Sequence, residues 1–240
     1  MNAIALVTGG ARRLGKALAL CLARIGFDIL LHYHQSESQA LETVQEIGKL
    51  GVRAYEVKAD LTKTSGIETL LTTLDSLTEQ APFTLLVNSA SIMLHRAALE
   101  LDLTEWQSAL ALNLRAPFLL SQHAARRMPT GGMIVNMTDV GARKTWKRYP
   151  SYVITKAALE SMTSMLARAL APAIRVNAIA PGLVLRSSLT TEEEWSALTA
   201  KQPLKRPAEL NEITSALEFL IMNKYITGQT ITVDGGYSLL

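Results

Sequence analysis

The chain has 240 residues, nearly half of them apolar, with 24 Lys plus Arg against 21 Asp plus Glu and a net charge of only +3. The basic residues are scattered apart from Arg12 with Arg13, Arg126 with Arg127, and the stretch from Arg143 to Arg148, and they form no basic helix face, which argues against a nucleic-acid footprint. A single cysteine, Cys21, excludes a disulfide framework, and no ligand spacing for a structural metal is present, since His32 and His34 have no third partner nearby.

The first apolar strand starts within a few residues of Met1, which leaves no room for a signal peptide. Charges interrupt every apolar run before it reaches bilayer length. The expectation is a cytoplasmic protein with no membrane or nucleic-acid partner. Strand-like segments recur at 3–8, 29–33, 53–58, 85–88, 133–137, 174–179 and 230–233, with helical patterns between them. Several strands read as continuous apolar runs, as strands covered on both faces do. This alternation predicts an α/β fold, a Rossmann-type doubly wound parallel sheet with helices on both faces, in a single domain over 1–240.

In such a sheet the ligand sits beyond the carboxyl ends of the strands. The first strand runs into TGGARRLG and then a helical run. Gly9, Arg12, Arg13 and Leu14 of this turn are candidates to cradle a phosphate at a helix N-terminus. Arg13 stands where a third glycine is expected. A guanidinium there can reach a phosphate or a flat polar ligand. After the second strand come His32, Tyr33, His34, Gln35 and Ser36, with no carboxylate to hold a ribose 2′-hydroxyl, so the sequence favours NADP(H) over NAD. His32 can equally be one face of an alternating strand edge. Asp60, followed by Leu61, either accepts from an adenine or opens a turn. Asn88, Ser89 and Ala90 follow the fourth strand, where small residues admit a dinucleotide. Pro181, Gly182 and Leu183 reverse the chain after the sixth. The segment at about 183–206, with acidic Glu192 to Glu194, is the expected substrate lid.

Tyr152 and Lys156 are four apart on a predicted helix and so share a face. A lysine ammonium near a phenol favours the phenolate, which would lower the Tyr152 pKa and let the pair pass a proton to a small-molecule substrate. The bland alternative is an amphipathic helix with a half-exposed Tyr and a solvated Lys.

TGGARRLG, NSAS, the asparagine of ALNLRAPF, YVITK, RVNAIAPG and TGQTITVDGGYSL occur in the order found in short-chain dehydrogenase/reductases, and the chain resembles that family over its whole length. The resemblance implies transfer of a hydride from a nicotinamide cofactor, usually in a homotetramer or dimer. It implies Tyr152 as proton donor, Lys156 as its partner and Asn113 as support for a water relay. Arg13 in the loop, Asp139 at the usual catalytic serine position and HYHQS after the second strand resemble the pteridine reductase branch. That branch implies a pterin C=N bond as the target, with Arg13, Ser91, Met93, Asp139 and Tyr152 around it. Met93 departs from the branch, which usually places an aromatic residue there. Trp146 is the other aromatic residue that the sequence offers as a cover. A carbonyl or 3-ketoacyl-thioester reductase, using a serine such as Ser151, is the alternative. A non-catalytic NADP(H)-binding sensor is disfavoured by the Tyr152 and Lys156 pair.

Overall fold

Ile4 and Leu6 face one side of the first strand, Ala5 and Val7 the other, and all four are buried. A strand buried on both faces has to sit between two layers of helices. That is the arrangement in the computed structural model, which describes residues 2–187 and 190–240. Seven parallel strands form one sheet in the order β3-β2-β1-β4-β5-β6-β7. They are β1 (Ile4–Val7), β2 (Asp28–Tyr33), β3 (Ala54–Lys58), β4 (Phe83–Asn88), β5 (Gly132–Met137), β6 (Ile174–Pro181) and β7 (Thr230–Val233). All seven coincide with the segments expected from apolar patterning, to within a few residues at their ends.

On one face, α1 (Arg13–Arg24), α2 (Glu37–Gly48) and α8 (Leu210–Met222) pack Leu18, Leu22, Ile47, Ile213 and Leu217 against Ala5, Val7, Ile29 and Leu31. On the other, α3 (Thr64–Thr78), α5 (Ala116–Arg127) and α6 (Pro150–Leu170) set Leu70, Leu120, Leu159 and Leu166 on Leu6, Leu30, Leu86 and Ile134. Each fully buried leucine contributes roughly 1.5–3 kcal/mol relative to exposure. Cys21 is buried in α1, as an apolar helix position implies. Among the described residues no group of side chains is arranged to hold a metal ion, and no helix is long and apolar enough to cross a membrane.

Two features depart from the sequence reading. The single long helix expected over ALNLRAPF is α4 (Leu103–Leu110) joined to α5 by a π-helical turn at Ala111–Arg115. The expected lid contains a helix of its own, α7 (Glu192–Lys201). Thr191 accepts from Glu194 N–H while the Glu194 carboxylate caps the Thr191 N–H, so the acidic run is a helix start, where carboxylates complement the dipole. Ser188 and Leu189 of the expected lid lie outside the described residues.

The strand order reverses between β1 and β4. The crevice at their carboxyl ends is where ligands of such sheets bind, and the loops that follow these strands, with those after β2, β5 and β6, surround it.

Candidate active site

The turn after β1 is built for close approach. Gly9 has φ +65°, and a side chain there would meet the Ala90 Cα at 2.9 Å. A Cβ on Gly15 would fall on the Gly9 carbonyl oxygen. The loops after β1 and β4 are tied together by Thr8, whose hydroxyl accepts from the N–H groups of Ser89 and Ala90 at 2.9 and 3.0 Å. The sequence reading missed Thr8; its place at the end of a strand before a glycine turn was the available signal. No side chain caps α1, and its first turn carries no acidic residue. The leading N–H groups of a helix have no intrahelical carbonyl, so this end suits a phosphate. Together with the glycine cradle, it fits the pyrophosphate of a dinucleotide.

Arg13 adopts φ +54°, a conformation that favours glycine, which explains why glycine is expected there. Its guanidinium donates to the carbonyls of Leu185 and Arg186 at 2.9 and 3.1 Å. Instead of reaching only into the cleft, Arg13 joins the phosphate turn to the segment that follows β6.

Of the residues after β2, the exposed ones are His34 and Gln35, with Ser36 partly exposed and Arg12 open on the adjacent turn. His32 and Tyr33 are corrections to the expected binding set. His32 is buried; its Nδ1 accepts from Gly9 N–H at 3.1 Å and its Nε2 lies 3.0 Å from the Ala59 carbonyl. Both ring nitrogens are therefore spent on holding the glycine turn from beneath, and burial depresses the imidazole to about 4, so it stays neutral. The Tyr33 side chain belongs to the core under α2. Leu61 is likewise a core residue, leaving only its backbone near the cleft. Asp60 takes the turn alternative: its Oδ1 accepts from the N–H and hydroxyl of Thr62 at 3.0 and 2.6 Å. Asn88 directs its amide into the sheet, donating to Asn136 at 2.9 Å, and Asn136 in turn donates to Thr163. After β6, Gly182 allows the Asp234 backbone to approach, since a Cβ there would lie 2.7 Å from the Asp234 Cα. Pro181 is buried, and the Leu183 carbonyl is held by Ala208 N–H.

β5 and α6 bring the reactive groups together. The Tyr152 hydroxyl donates to Asp139 Oδ2 at 2.8 Å, and Asp139 Oδ1 accepts from Gly141 N–H at 2.7 Å. Lys156 Nζ donates to the Met137 carbonyl at 2.7 Å and lies 5.5 Å from the centre of the Tyr152 ring. Burial raises the Asp139 carboxyl above the ordinary range, against the lowering effects of Gly141 N–H, the Tyr152 hydroxyl and the Lys156 charge. Burial lowers Lys156 to about 8, partly offset by Asp139. Tyr152 corrects the expected lysine effect. Burial, then the Asp139 charge and hydrogen bond, push the phenol well above its ordinary value. The ammonium is spent on a backbone carbonyl, while the carboxylate sits directly on the hydroxyl.

Asn113 lies in the π turn and is fully buried. Its Oδ1 accepts from Ile92 N–H and the Ser91 hydroxyl, and its Nδ2 donates to the Ile92 carbonyl and Thr155. With four hydrogen bonds of its own, the side chain fixes the β4 loop against α6. Ser91 is exposed at the cleft but its hydroxyl is spent on Asn113. Met93 is exposed, and Ser151 is fully buried, out of reach of any substrate.

Comparison with known proteins agrees with this construction. A family model described as Enoyl-(Acyl carrier protein) reductase matches residues 9–238. The chain is 31% identical to the 3-oxoacyl-[acyl-carrier-protein] reductase FabG of Staphylococcus epidermidis, over 98% of this chain and 99% of that one. Among solved structures it is similar to FolM Alternative dihydrofolate reductase 1 from Brucella suis in complex with NADP, with 36% identity, a TM-score of 0.92, and coverage of 100% of this chain and 96% of that one. The angucycline C-6 ketoreductase LanV with bound NADP aligns with a TM-score of 0.94 at 32% identity, over 99% and 96% of the two chains.

Proposed function

This chain belongs to the short-chain dehydrogenase/reductase family of oxidoreductases, and within it we propose a reductase that acts on the C=N bond of a dihydropterin. The cofactor is NADP(H), the dinucleotide bound in the FolM and LanV structures. When bound, NADPH supplies the hydride.

The observation that carries the pterin reading is the Tyr152 hydroxyl donating to the partly buried Asp139 carboxyl. A ring nitrogen that gains an electron pair needs a proton at the same moment. Asp139, raised by burial, holds a proton nearer neutral pH than an ordinary carboxyl and is the more acidic member of the pair. In this reading it gives that proton to the ring nitrogen, an N–H bond forms, and the carboxylate left behind is held by the Tyr152 hydroxyl and Gly141 N–H. Lys156 offsets the new negative charge. Gly9, Arg12, Arg13, Leu14, His34, Gln35, Ser36 and the backbone at 88–90 and 181–183 would hold the dinucleotide; Arg13 and Ser91 would border the substrate. Asn113 positions the β4 loop.

The FabG likeness supports a second reading, reduction of a 3-oxoacyl thioester. Burial of Ser151 weighs against it, because no serine then replaces the one lost at position 139. NADPH oxidation with a 7,8-dihydropterin and with an acetoacetyl thioester separates the two. Turnover of the thioester alone refutes the pterin reading. We also propose a homotetramer, supported by the open trough of about 1020 Å³ between α4–α5 and α6, where Leu114, Phe118 and Met165 line the surface. Sedimentation as a monomer would refute it.

A further inference from the structure

Asp139 faces an aromatic cluster that no single segment of the chain contains. The Trp146 ring lies over Gly141: a Cβ built on that glycine would stand 2.6 Å from the Trp146 Cζ3 and 3.0 Å from Asp139 Oδ1. The indole and the reactive carboxyl therefore touch the same point. Trp146 is in turn flanked by Tyr237 at 6.4 Å and Tyr149 at 6.2 Å between ring centres, and His95 stands edge-on to Tyr149 at 5.2 Å. All four residues are at least partly exposed, so the cluster is open to solvent, with Gly141 against the Trp146 ring and Lys144 over one face of Tyr237.

The tail that brings Tyr237 here is anchored. Asp234 accepts from the N–H groups of Gly236 and Ser238 at 3.0 and 2.6 Å, and Gly235 and Gly236 take positive φ. Lys144 donates to the Leu240 carbonyl at 2.9 Å with its ammonium 4.8 Å from the Tyr237 ring centre. Burial and the Asp139 charge raise the Tyr237 phenol, consistent with its facing the same carboxyl.

We propose that Trp146 and Tyr237 form the wall that selects a planar conjugated-ring substrate. The proposal rests on the reading above only in taking Asp139 and Tyr152 as the reacting groups. Flat π systems stack on indole and phenol faces, whereas a flexible acyl chain gains far less from them.

The test uses the full chain with NADPH and three substrates: a 7,8-dihydropterin, 1,4-naphthoquinone and an acetoacetyl thioester. Trp146→Leu should raise KM for both planar compounds at least about fivefold, the lower end of what stacking on one ring supplies. Their kcat should stay within about threefold, and KM for the thioester within about twofold, because the Asp139 and Tyr152 pair is untouched. Tyr237→Leu should do the same to a smaller extent, and Trp146→Phe should restore most of the planar KM. Should Trp146→Leu fail to fold, Tyr237→Leu carries the test. Equal losses on all three substrates, or no change in planar KM, would overturn the wall. Wild-type turnover of the quinone without the pterin refutes the pterin reading and leaves the wall to be decided on the quinone. Turnover of neither planar compound overturns the wall as well.

Discussion

Asp139→Asn tests the chemistry most directly, because it removes a proton and almost nothing else. The asparagine oxygen can keep the Gly141 N–H bond, 2.7 Å long in the native site. Its NH₂ would face the Tyr152 hydroxyl, which turns from donating to accepting, so both hydrogen bonds survive in number. Folding should therefore be nearly unchanged, with Tm within roughly 2–4 °C of wild type, the shift expected for about 1 kcal/mol in a chain of this size. The loss falls on proton transfer. A positioned general acid contributes about 10²- to 10⁴-fold, or roughly 3–5.5 kcal/mol of barrier, and kcat on a dihydropterin should fall by that factor. KM and NADPH affinity should stay within about threefold, because no binding group is removed. The alkaline fall of wild-type kcat should lie above the ordinary carboxyl range near 3.9, because burial raises Asp139 and the donor must be protonated to act. Steady-state assays across pH, beside a thermal melt, read both quantities. A variant that melts like wild type and keeps dihydropterin kcat within a factor of three would refute Asp139 as the proton source.

Lys156→Met should change stability in a pH-dependent way. Folded Lys156 sheds its proton near 8 and the unfolded chain near 10.5, so between them the unfolded state binds more protons and wild-type stability rises with pH. The methionine variant lacks this rise, so urea melts at pH 7 and 10 should show wild type gaining roughly 2.5 kcal/mol on it; a gap independent of pH would exclude a buried, strained ammonium. Gly15→Ala should lower Tm by about 5–10 °C and weaken NADPH binding, because its methyl has to displace the Gly9 carbonyl. Gly48→Ala, with no atom within 4 Å, is the control, and equal effects in the two would dismiss the cradle. Gln35→Asp sets a carboxylate at the exposed end of the β2 loop and should shift the NADPH-to-NADH ratio of kcat/KM at least about tenfold toward NADH, since repulsion of a 2′-phosphate replaces a neutral amide. An unchanged ratio would place the 2′-phosphate elsewhere.

The sequence by itself determined the sheet. Runs such as Ile4 to Val7 and Leu85 to Val87 are apolar on both faces, and only a parallel sheet between two helical layers buries both. It also determined which loops meet at the cleft, because ligands of such sheets collect at the strand ends, and the spacing of Tyr152 and Lys156 was enough to place them on one helical face. Tertiary structure decided which way each polar group was spent. His32 and His34 are indistinguishable by type and two apart, a spacing that puts both on one face of an extended strand, yet one is locked under the Gly9 turn and the other is exposed, because β2 ends at Tyr33 and the chain bends away before His34. The four bonds of Asn113, the tie from Thr8 to the β4 loop, and the meeting of Trp146 with Tyr237 join residues distant in sequence. The direction of the Tyr152 pKa also reversed, since helical spacing set Lys156 beside the ring, whereas the fold brought Asp139, in the loop after β5, onto the hydroxyl. Local pattern reports what a segment must bury; the partner of a buried polar group depends on what other segments bring within 3 Å, and only the folded chain contains that information.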